Sequence, residues 1–584
     1  MSEHATCLVK GSDYIVSFLI DNGVTDVFGI PGGVVLDFLY ALDKRNQDIT
    51  VHLNYHEQSS AYAACGYSQV EGKLGVAYAT RGPGVTNMIT AIADAYYDSI
   101  PVMFITAHSY CNKYKNMRVE QDQEIDLVPM ISQITKYAKR VDEGNDLPTE
   151  LTKAYNLAIS GRKGPVFLDI SNNILSNEIT IKSEKYIDES NVESINVKNI
   201  TEYIRMALEN SERPILLIGD GIRNLKAISN LKQFVEKVEI PVLSSRFSHD
   251  IMQNSLMYFG YIGSHATRYS NFILAKSDLI ISIGNRMSFP LSSQSFRPIV
   301  ENKKIIRVDV DNNELLRKIP NCKNFNVDIN TLWPQLINTK LTYKYKEKWL
   351  SVCCQLREVL FSHDMDYPSE MIGRILDNIN ENTVIISDVG NNEFWLSRAS
   401  VFAKRKNRVL YSKSFGSLGC SLPKAIGAYY GTRKPVVCFT GDQGFQFNIQ
   451  ELQFVVQHKL PIMIVILNNH SSGMIRSREK QLSYPKYLHT TEDSGYKAVS
   501  FNEIAKAYNC EYYAHTDTKE KFDEMISKVV KPCIVEIFVD ETTEISPILL
   551  KGNECQKLTP NLPKEMYKNC LLYTSDAADD LIGV

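Results

Sequence analysis

Asp442 and Asn469 close two apolar runs, KPVVCFTGD (434–442) and LPIMIVILNN (460–469), with one helical stretch between them. The chemistry open to that pair is the capture of a hard divalent cation. Mg2+ takes near-octahedral oxygen ligands and is usually held by one or two protein oxygens together with phosphate and water. Asp442 supplies a carboxylate and Asn469 an amide oxygen, and one helix plus one strand is what a crossover needs to return to the neighbouring strand end. Taken alone, an acid after one strand and paired asparagines after another are more often turn chemistry, so the choice needs further residues.

Other strand ends offer them. DVGNNEF (388–394) carries Asn391 and Asn392, whose amide N–H groups can donate to phosphate oxygens or simply close a turn. FGIPGG carries Gly32 and Gly33, where glycine permits close backbone approach, though a turn explains them equally well. LLIGDGIR supplies Gly219 and Gly221 but has Asn224 where a dinucleotide fingerprint has its third glycine, a weak signal.

The elements that must position these residues follow an α/β pattern. KLGVAYAT, IPVMFITA and GPVFLDIS alternate with helical stretches such as HEQSSAYAACGYSQ and GVTNMITAIADAYYDS, which predicts a parallel sheet in residues 1–180. The polar segment 172–199 reads as a linker. RPILLIGDG, SDLIISIGN and NKKIIRVDVD predict a second α/β domain over 200–345. NTVIISDVGNNEF, KPVVCFTGDQG, LPIMIVILNN and KPCIVEIFVD predict a third over 365–545, followed by a tail, 546–584. In open parallel sheets ligands collect outside the carboxyl ends of the strands, which is where the polar residues above fall.

Composition sets the partners. In 584 residues, 22% charged and with net charge −3, there is no basic field for nucleic acid; small molecules or other subunits are the expected partners. Twelve scattered cysteines, with no paired zinc spacing, read as free thiols of a reducing cytoplasm. No export signal and no apolar run of membrane-spanning length is expected. The terminal CLLYTSDAADDLIGV (570–584) resembles a translated sequencing adaptor and is set aside.

Together these motifs resemble those of the thiamine diphosphate-dependent enzymes. GDQGF through LNN is similar to that family's cofactor motif, with Gly441, Asp442 and Asn469 on it; the resemblance makes Asp442, Asn469 and the carbonyl of Ser471 ligands of Mg2+. HEQSSAYAACGYS resembles the segment bearing the cofactor-activating glutamate, here Glu57, which would hydrogen-bond the aminopyrimidine and make its 4′-amino group an internal base. FGSLGCSLPKAIGA resembles the cofactor-bending loop, with Leu418 as the wedge between the two rings and the backbone of Gly416 and Leu418 on the pyrimidine edge. Asn391 and Asn392 lie where relatives contact the diphosphate, and Gly32, Gly33 and Gln123 near the reacting carbon; Asp122 stands where an aromatic residue usually precedes that glutamine.

The similarity runs from about residue 8 to 545 and is closest to acetolactate synthase large subunits and acetolactate-synthase-like enzymes of surface-sugar pathways. It implies three doubly wound parallel-sheet domains: pyrimidine-binding, central Rossmann-like and diphosphate-binding. It implies decarboxylation of pyruvate or a similar 2-oxoacid with transfer of the acyl unit to a second carbonyl, in a homodimer or homotetramer. FAD-binding relatives further suggest Arg162, Gly219, Gly221, Gly263, His265, Gly284, Arg286 and Asp309 as flavin contacts, whereas other relatives keep the fold without flavin. Arg478 replaces a tryptophan common in acetolactate synthases. A keto-sugar carboligase and a simple decarboxylase therefore stay open. So does a non-catalytic binding protein, against which the presence of Glu57, Asp442 and Asn469 argues.

Overall fold

The computed structural model describes residues 7–109, 122–181, 197–223, 225–288, 302–515 and 531–572, with residues 297, 300, 522, 523 and 526. The strands in chain order are β1 (Cys7–Lys10), β2 (Asp26–Gly29), β3 (Thr50–Leu53), β4 (Gly75–Tyr78), β5 (Val102–His108), β6 (Tyr137–Val141), β7 (Val166–Ser171), β8 (Glu178–Ile181), β9 (Pro214–Ile218) and β10 (Val242–Ser244). They continue with β11 (Tyr258–Tyr261), β12 (Leu279–Ile283), β13 (Lys304–Asp309), β14 (Cys322–Asn326), β15 (Val384–Ser387), β16 (Val409–Leu410), β17 (Val436–Gly441), β18 (Ile462–Asn468), β19 (Glu511–Ala514) and β20 (Cys533–Phe538).

Three six-stranded parallel sheets result, as the alternation of apolar runs and helices predicts. The first runs β3-β2-β4-β5-β7-β6 and the third β16-β15-β17-β18-β20-β19. Numbered within each sheet, both follow the order 2-1-3-4-6-5. The middle sheet, β11-β10-β9-β12-β13-β14, follows 3-2-1-4-5-6, the order of doubly wound dinucleotide-binding folds. Central strands such as β5, β7 and β18 are buried along their whole length, which is why they read as unbroken Val/Ile/Leu-rich runs rather than as alternation.

The chain forms two compact units. One comprises Met1–Ser190, Asn382–Glu393 and Arg408–Thr542, the other Asn191–Glu381, Phe394–Asn407 and Thr543–Val584. The first unit holds the first and third sheets, joined by a shared apolar core drawn from both, including Ala61, Ala64, Phe104, Ile426, Cys438 and Ile464. At its centre the helices Glu57–Glu71 and Ser421–Thr432 cross backbone to backbone. A Cβ on Gly66 would collide with the carbonyl of Lys424, and one on Gly427 with the carbonyl of Ala63, so glycine is what lets the two axes approach.

The second unit packs the middle sheet with the helix Lys346–Leu360, which buries Trp349, Cys353, Leu356 and Leu360. Residues 549–571 belong to it as well: Arg268 donates to the carbonyls of Leu558 (3.0 Å) and Pro560 (2.7 Å) and Asn271 to that of Cys555 (2.9 Å).

Of the segment read as a linker, residues 172–181 are structured. Asn172–Ser176 is helical and β8 pairs antiparallel with β1, Leu8 opposite Thr180. The polar composition hid a strand that needs only one distant partner. Residues 182–196 of that segment lie outside the described residues, as do 573–584 at the end of the tail.

Candidate active site

In the third sheet, β17 and β18 are parallel neighbours, with Gly441 opposite Leu467, so Asp442 and Asn469 leave adjacent strand ends. Asp442 is only 2% exposed. Its Oδ1 accepts from the N–H of Gln443 (3.0 Å), while its Oδ2 is buried without a partner. Burial pushes the carboxyl up to about 6, against the pull of the Gln443 amide and of the neighbouring Tyr496 hydroxyl, which lies close enough to act on the charge but makes no hydrogen bond of its own. Ser471 spends its hydroxyl on the carbonyl of Thr490 (2.7 Å), so what it can offer a metal is its main-chain oxygen.

Asn391, which opens the helix Asn391–Ala403 after β15, is buried with neither amide atom partnered. Gly473 sits between it and Asn469: a Cβ there would collide with Asn469 Nδ2 and lie 2.9 Å from Asn391 Nδ2. Asn392 donates to the carbonyl of Asp388 (2.7 Å), and its Oδ1 lies 2.9 Å from where a Gly390 Cβ would stand and 3.9 Å from that of Gly441. Asn391, Asn392, Asp442 and Asn469 thus converge on one edge, with glycines keeping the space among them open. Among the described residues no group of three His, Cys, Asp or Glu could hold a metal. A cation here would rest on one carboxylate and neutral oxygens, a set suited to Mg2+ shared with a phosphate.

Leu418 lies between two left-handed glycines, Gly416 (φ 72°) and Gly419 (φ 82°). Its loop is fastened by Asp388, which the sequence reading passed over. That buried carboxylate accepts from the N–H groups of Val389 (2.7 Å), Gly419 (2.8 Å) and Ser421 (3.2 Å) and from the Ser421 hydroxyl (2.6 Å).

In the first sheet, Glu57 begins the helix Glu57–Glu71 just after β3. Its Oε2 accepts from Asn87 Nδ2 at 3.0 Å, and a Cβ on Gly84 would lie 3.6 Å from its Oε1. The turn Thr80–Gly84 also receives Gly32, whose Cβ would overlap Thr80, and Gln123, whose carbonyl closes on Gly82. Gly32, Glu57 and Gln123 are therefore gathered around one turn. Gly33 faces open space within 4 Å, and Asp122 and Gln123 are exposed.

Two further residues tie these groups to the third sheet. Asn448 accepts from Ser59 Oγ (2.8 Å) and donates to the carbonyl of Gly419 (2.8 Å). Glu451, fully buried, accepts from Asn54 Nδ2 and from the N–H of Tyr55, both at 2.9 Å. Neither carries a sequence signal, since the partners on the first sheet's side, Ser59 for Asn448 and Asn54 and Tyr55 for Glu451, lie 389 to 397 residues away.

The flavin candidates divide between the units. Arg162 lies in the first and donates to Ser99 Oγ (2.9 Å), at the end of the helix Pro83–Asp98. In the second unit, Gly219, Gly284 and Asp309 stand at the carboxyl ends of β9, β12 and β13, with Gly221 and Arg286 close behind. A Cβ on Gly219 would collide with the carbonyl of Gly284, and one on Gly221 would lie 2.9 Å from it, so packing of one turn on another already accounts for these glycines. Gly263 accepts from Asn271 Nδ2 (2.9 Å), and the His265 ring packs on Phe394 at 4.1 Å. Burial, with the guanidinium groups of Arg246 and Arg398 nearby, pushes the His265 imidazole down to about 3, so the ring is neutral. Arg478 is exposed on the helix Gly473–Gln481, donating to Gln481 Oε1 at 3.4 Å.

The chain matches the thiamine pyrophosphate enzyme N-terminal TPP binding domain over residues 9–130, the central domain over 201–333 and the C-terminal TPP binding domain over 388–537. It is 30% identical to a probable acetolactate synthase large subunit of Methanocaldococcus jannaschii, over 93% of this chain and 94% of that protein. It is 28% identical to the acetolactate synthase isozyme 2 large subunit of Escherichia coli (93% and 98%) and to the acetolactate synthase large subunit of Lactococcus lactis (93% and 95%). The chain belongs to the thiamine pyrophosphate enzyme family.

The residues of this family member fit its cofactor. The unpartnered amide of Asn391 and the free Oδ2 of Asp442 are buried polar atoms that need a ligand. Glycine at 390 and 473 gives the amides of Asn392, Asn391 and Asn469 their room, and at Gly441 nothing stands closer than Asn392 Oδ1, 3.9 Å from where a Cβ would be. No helix among the described residues is long and apolar enough to cross a membrane.

Proposed function

We propose that the protein is a thiamine diphosphate-dependent carboligase that decarboxylates pyruvate or a similar 2-oxoacid and transfers the acyl unit to a second carbonyl. The observation that carries this reading is the convergence of Asn391, Asn392, Asp442 and Asn469 at adjacent strand ends, with buried polar atoms left unpartnered there, in a chain similar to acetolactate synthases along nearly its whole length. When bound, the cofactor supplies a thiazolium carbon that adds to the 2-oxoacid carbonyl and a ring that takes up the electrons released with CO2.

The protein's own part is anchoring, bending and proton handling. Asp442, Asn469 and the Ser471 carbonyl would hold Mg2+, with Asn391 and Asn392 donating to the diphosphate and Gly441 leaving space for it. Leu418 would be the wedge, with the backbone of Gly416 beside it. Glu57, oriented by Asn87, would hold a proton on the pyrimidine nitrogen, and Gln123, Gly32 and Gly33 would line the substrate side. In Glu57→Gln the expected kcat loss is on the order of 10²–10⁴ with thiamine diphosphate still bound; full activity would remove Glu57 from this role.

We read the working form as a homodimer in a reducing cytoplasm; the ten cysteines whose side chains are described are all free thiols. The middle sheet, with its dinucleotide-type strand order, is where FAD would sit, against Gly219, Gly221, Gly284, Arg286 and Asp309, with Gly263 and His265 of the same unit as further contacts. Flavin absorbance of the purified protein tests this directly.

Arg478 supports a second reading, in which the acceptor is a keto-sugar whose carboxylate, phosphate or nucleotide group the guanidinium could face. Mass spectrometry of products from pyruvate, alone and with a panel of acceptors, separates the readings. Acetolactate from pyruvate alone is the expected result. Acetaldehyde alone would make the protein a decarboxylase, and a product only with a sugar acceptor would favour the second reading.

A further inference from the structure

The helix Pro83–Asp98 meets Glu57 at its first turn, through Gly84 and Asn87, and ends on three residues that all grip the segment leading into Leu418. Asp94 pairs with Lys424 at 2.7 Å, both side chains being 0% exposed, and also accepts from the Ser412 hydroxyl. Asp98 accepts from the main-chain N–H groups of Lys413 (2.7 Å) and Ser414 (2.8 Å). The ring of Tyr97 stacks on that of Phe415, centroids 5.5 Å apart. Ser412 Oγ in turn accepts from the N–H of Ser417 at 2.9 Å, so the hydroxyl held by Asp94 folds the segment back on itself one residue before Leu418.

Folding alone gives little reason for this arrangement. Carboxylates in the last turn of a helix oppose its dipole, and buried charges lose solvation that a pairing only partly returns. An apolar last turn would pack with less strain on both counts. What the two carboxylates do achieve is to fix three consecutive residues, 412–414, with Tyr97 holding the next, Phe415.

We infer that Asp94, Asp98 and Ser412 are positioning residues that set the height of the Leu418 side chain and the Gly416 backbone against the aminopyrimidine half of the cofactor. The inference rests on the reading of Leu418 as the cofactor wedge. The diphosphate half is anchored elsewhere, by Asn391, Asp442 and Asn469. Loosening the 412–417 segment should therefore harm one half of the cofactor site and spare the other, whereas general destabilisation would harm both.

The test uses Asp98→Asn and Ser412→Ala in the full-length protein, with Ser412→Thr as the conservative control. Affinities are measured calorimetrically with Mg2+ for thiamine diphosphate and for inorganic pyrophosphate, alongside kcat and KM for pyruvate. Misplacement of a group near the chemistry by about 1 Å can cost about a hundredfold. The expected result is thiamine diphosphate binding weakened about tenfold and kcat lowered about 10- to 100-fold. Pyrophosphate affinity and KM should stay within about twofold of the unaltered protein, and Ser412→Thr should recover most of the loss.

Equal weakening of both ligands, or no change in either, overturns the inference. If Asp98→Asn does not fold, Ser412→Ala reads the same split without touching a charge. Failure of the unaltered protein to bind thiamine diphosphate would instead remove the proposed function, and this inference with it.

Discussion

The Asp442 carboxyl, raised to about 6 by burial, makes a pH prediction. A carboxyl whose folded value exceeds its ordinary one holds its proton more tightly in the folded chain. Its contribution therefore favours the metal-free fold at low pH and is lost as pH rises through about 6. Metal binding needs the ionised form and so runs the other way. Apparent Mg2+ affinity in titrations should be flat above about pH 7 and fall about tenfold per unit below about 6. In Asp442→Asn that pH dependence should vanish and affinity should drop by on the order of 100-fold. Asp442 and Asn469 were legible in the sequence because an acid and an amide ending successive apolar runs have few other places to go in a parallel sheet. Asp388, Asn448 and Glu451 were not, because a carboxylate that fastens a loop 31 residues on, or an amide that reaches 389 residues back, leaves no spacing to find.

At the scale of elements, the crossing of the helices Glu57–Glu71 and Ser421–Thr432 is the contact most sensitive to volume. Gly427→Ala should destabilise the protein by about 1–3 kcal/mol through overpacking against the Ala63 carbonyl. Gly373→Ala, in the helix Tyr367–Asn378 with nothing within 4 Å of the added carbon, should be neutral or stabilising by up to about 1 kcal/mol. Thermal unfolding of both variants checks the sign as well as the size. The long strands β5, β7, β17, β18 and β20 were readable from their apolar runs. The two-residue β16 and the partly exposed β19 were not, since a strand that short or that wet carries neither an apolar run nor clean alternation. The crossing itself was equally hidden: Gly66 and Gly427 each read as an ordinary helix glycine until the other is placed beside it.

At the scale of the whole molecule, apolar side chains flanking the proposed site stay exposed in the single chain, Leu53, Tyr55, Phe415 and Phe447 among them, which suits a surface awaiting a partner copy. Sedimentation should show a dimer as the smallest active species, and activity per chain should fall on dilution below its dissociation constant; a fully active monomer would contradict the homodimer. The three sheets were legible, but their grouping into two units was not, because the core joining the first and third sheets links residues more than 300 positions apart. That grouping bears on how the protein is made. Its first unit cannot close until Thr542 has left the ribosome, roughly half a minute to two minutes after synthesis begins. Through that wait the inner faces of Ala61, Ala64 and Phe104 lie uncovered, and a newborn chain of this design is a natural client for chaperones.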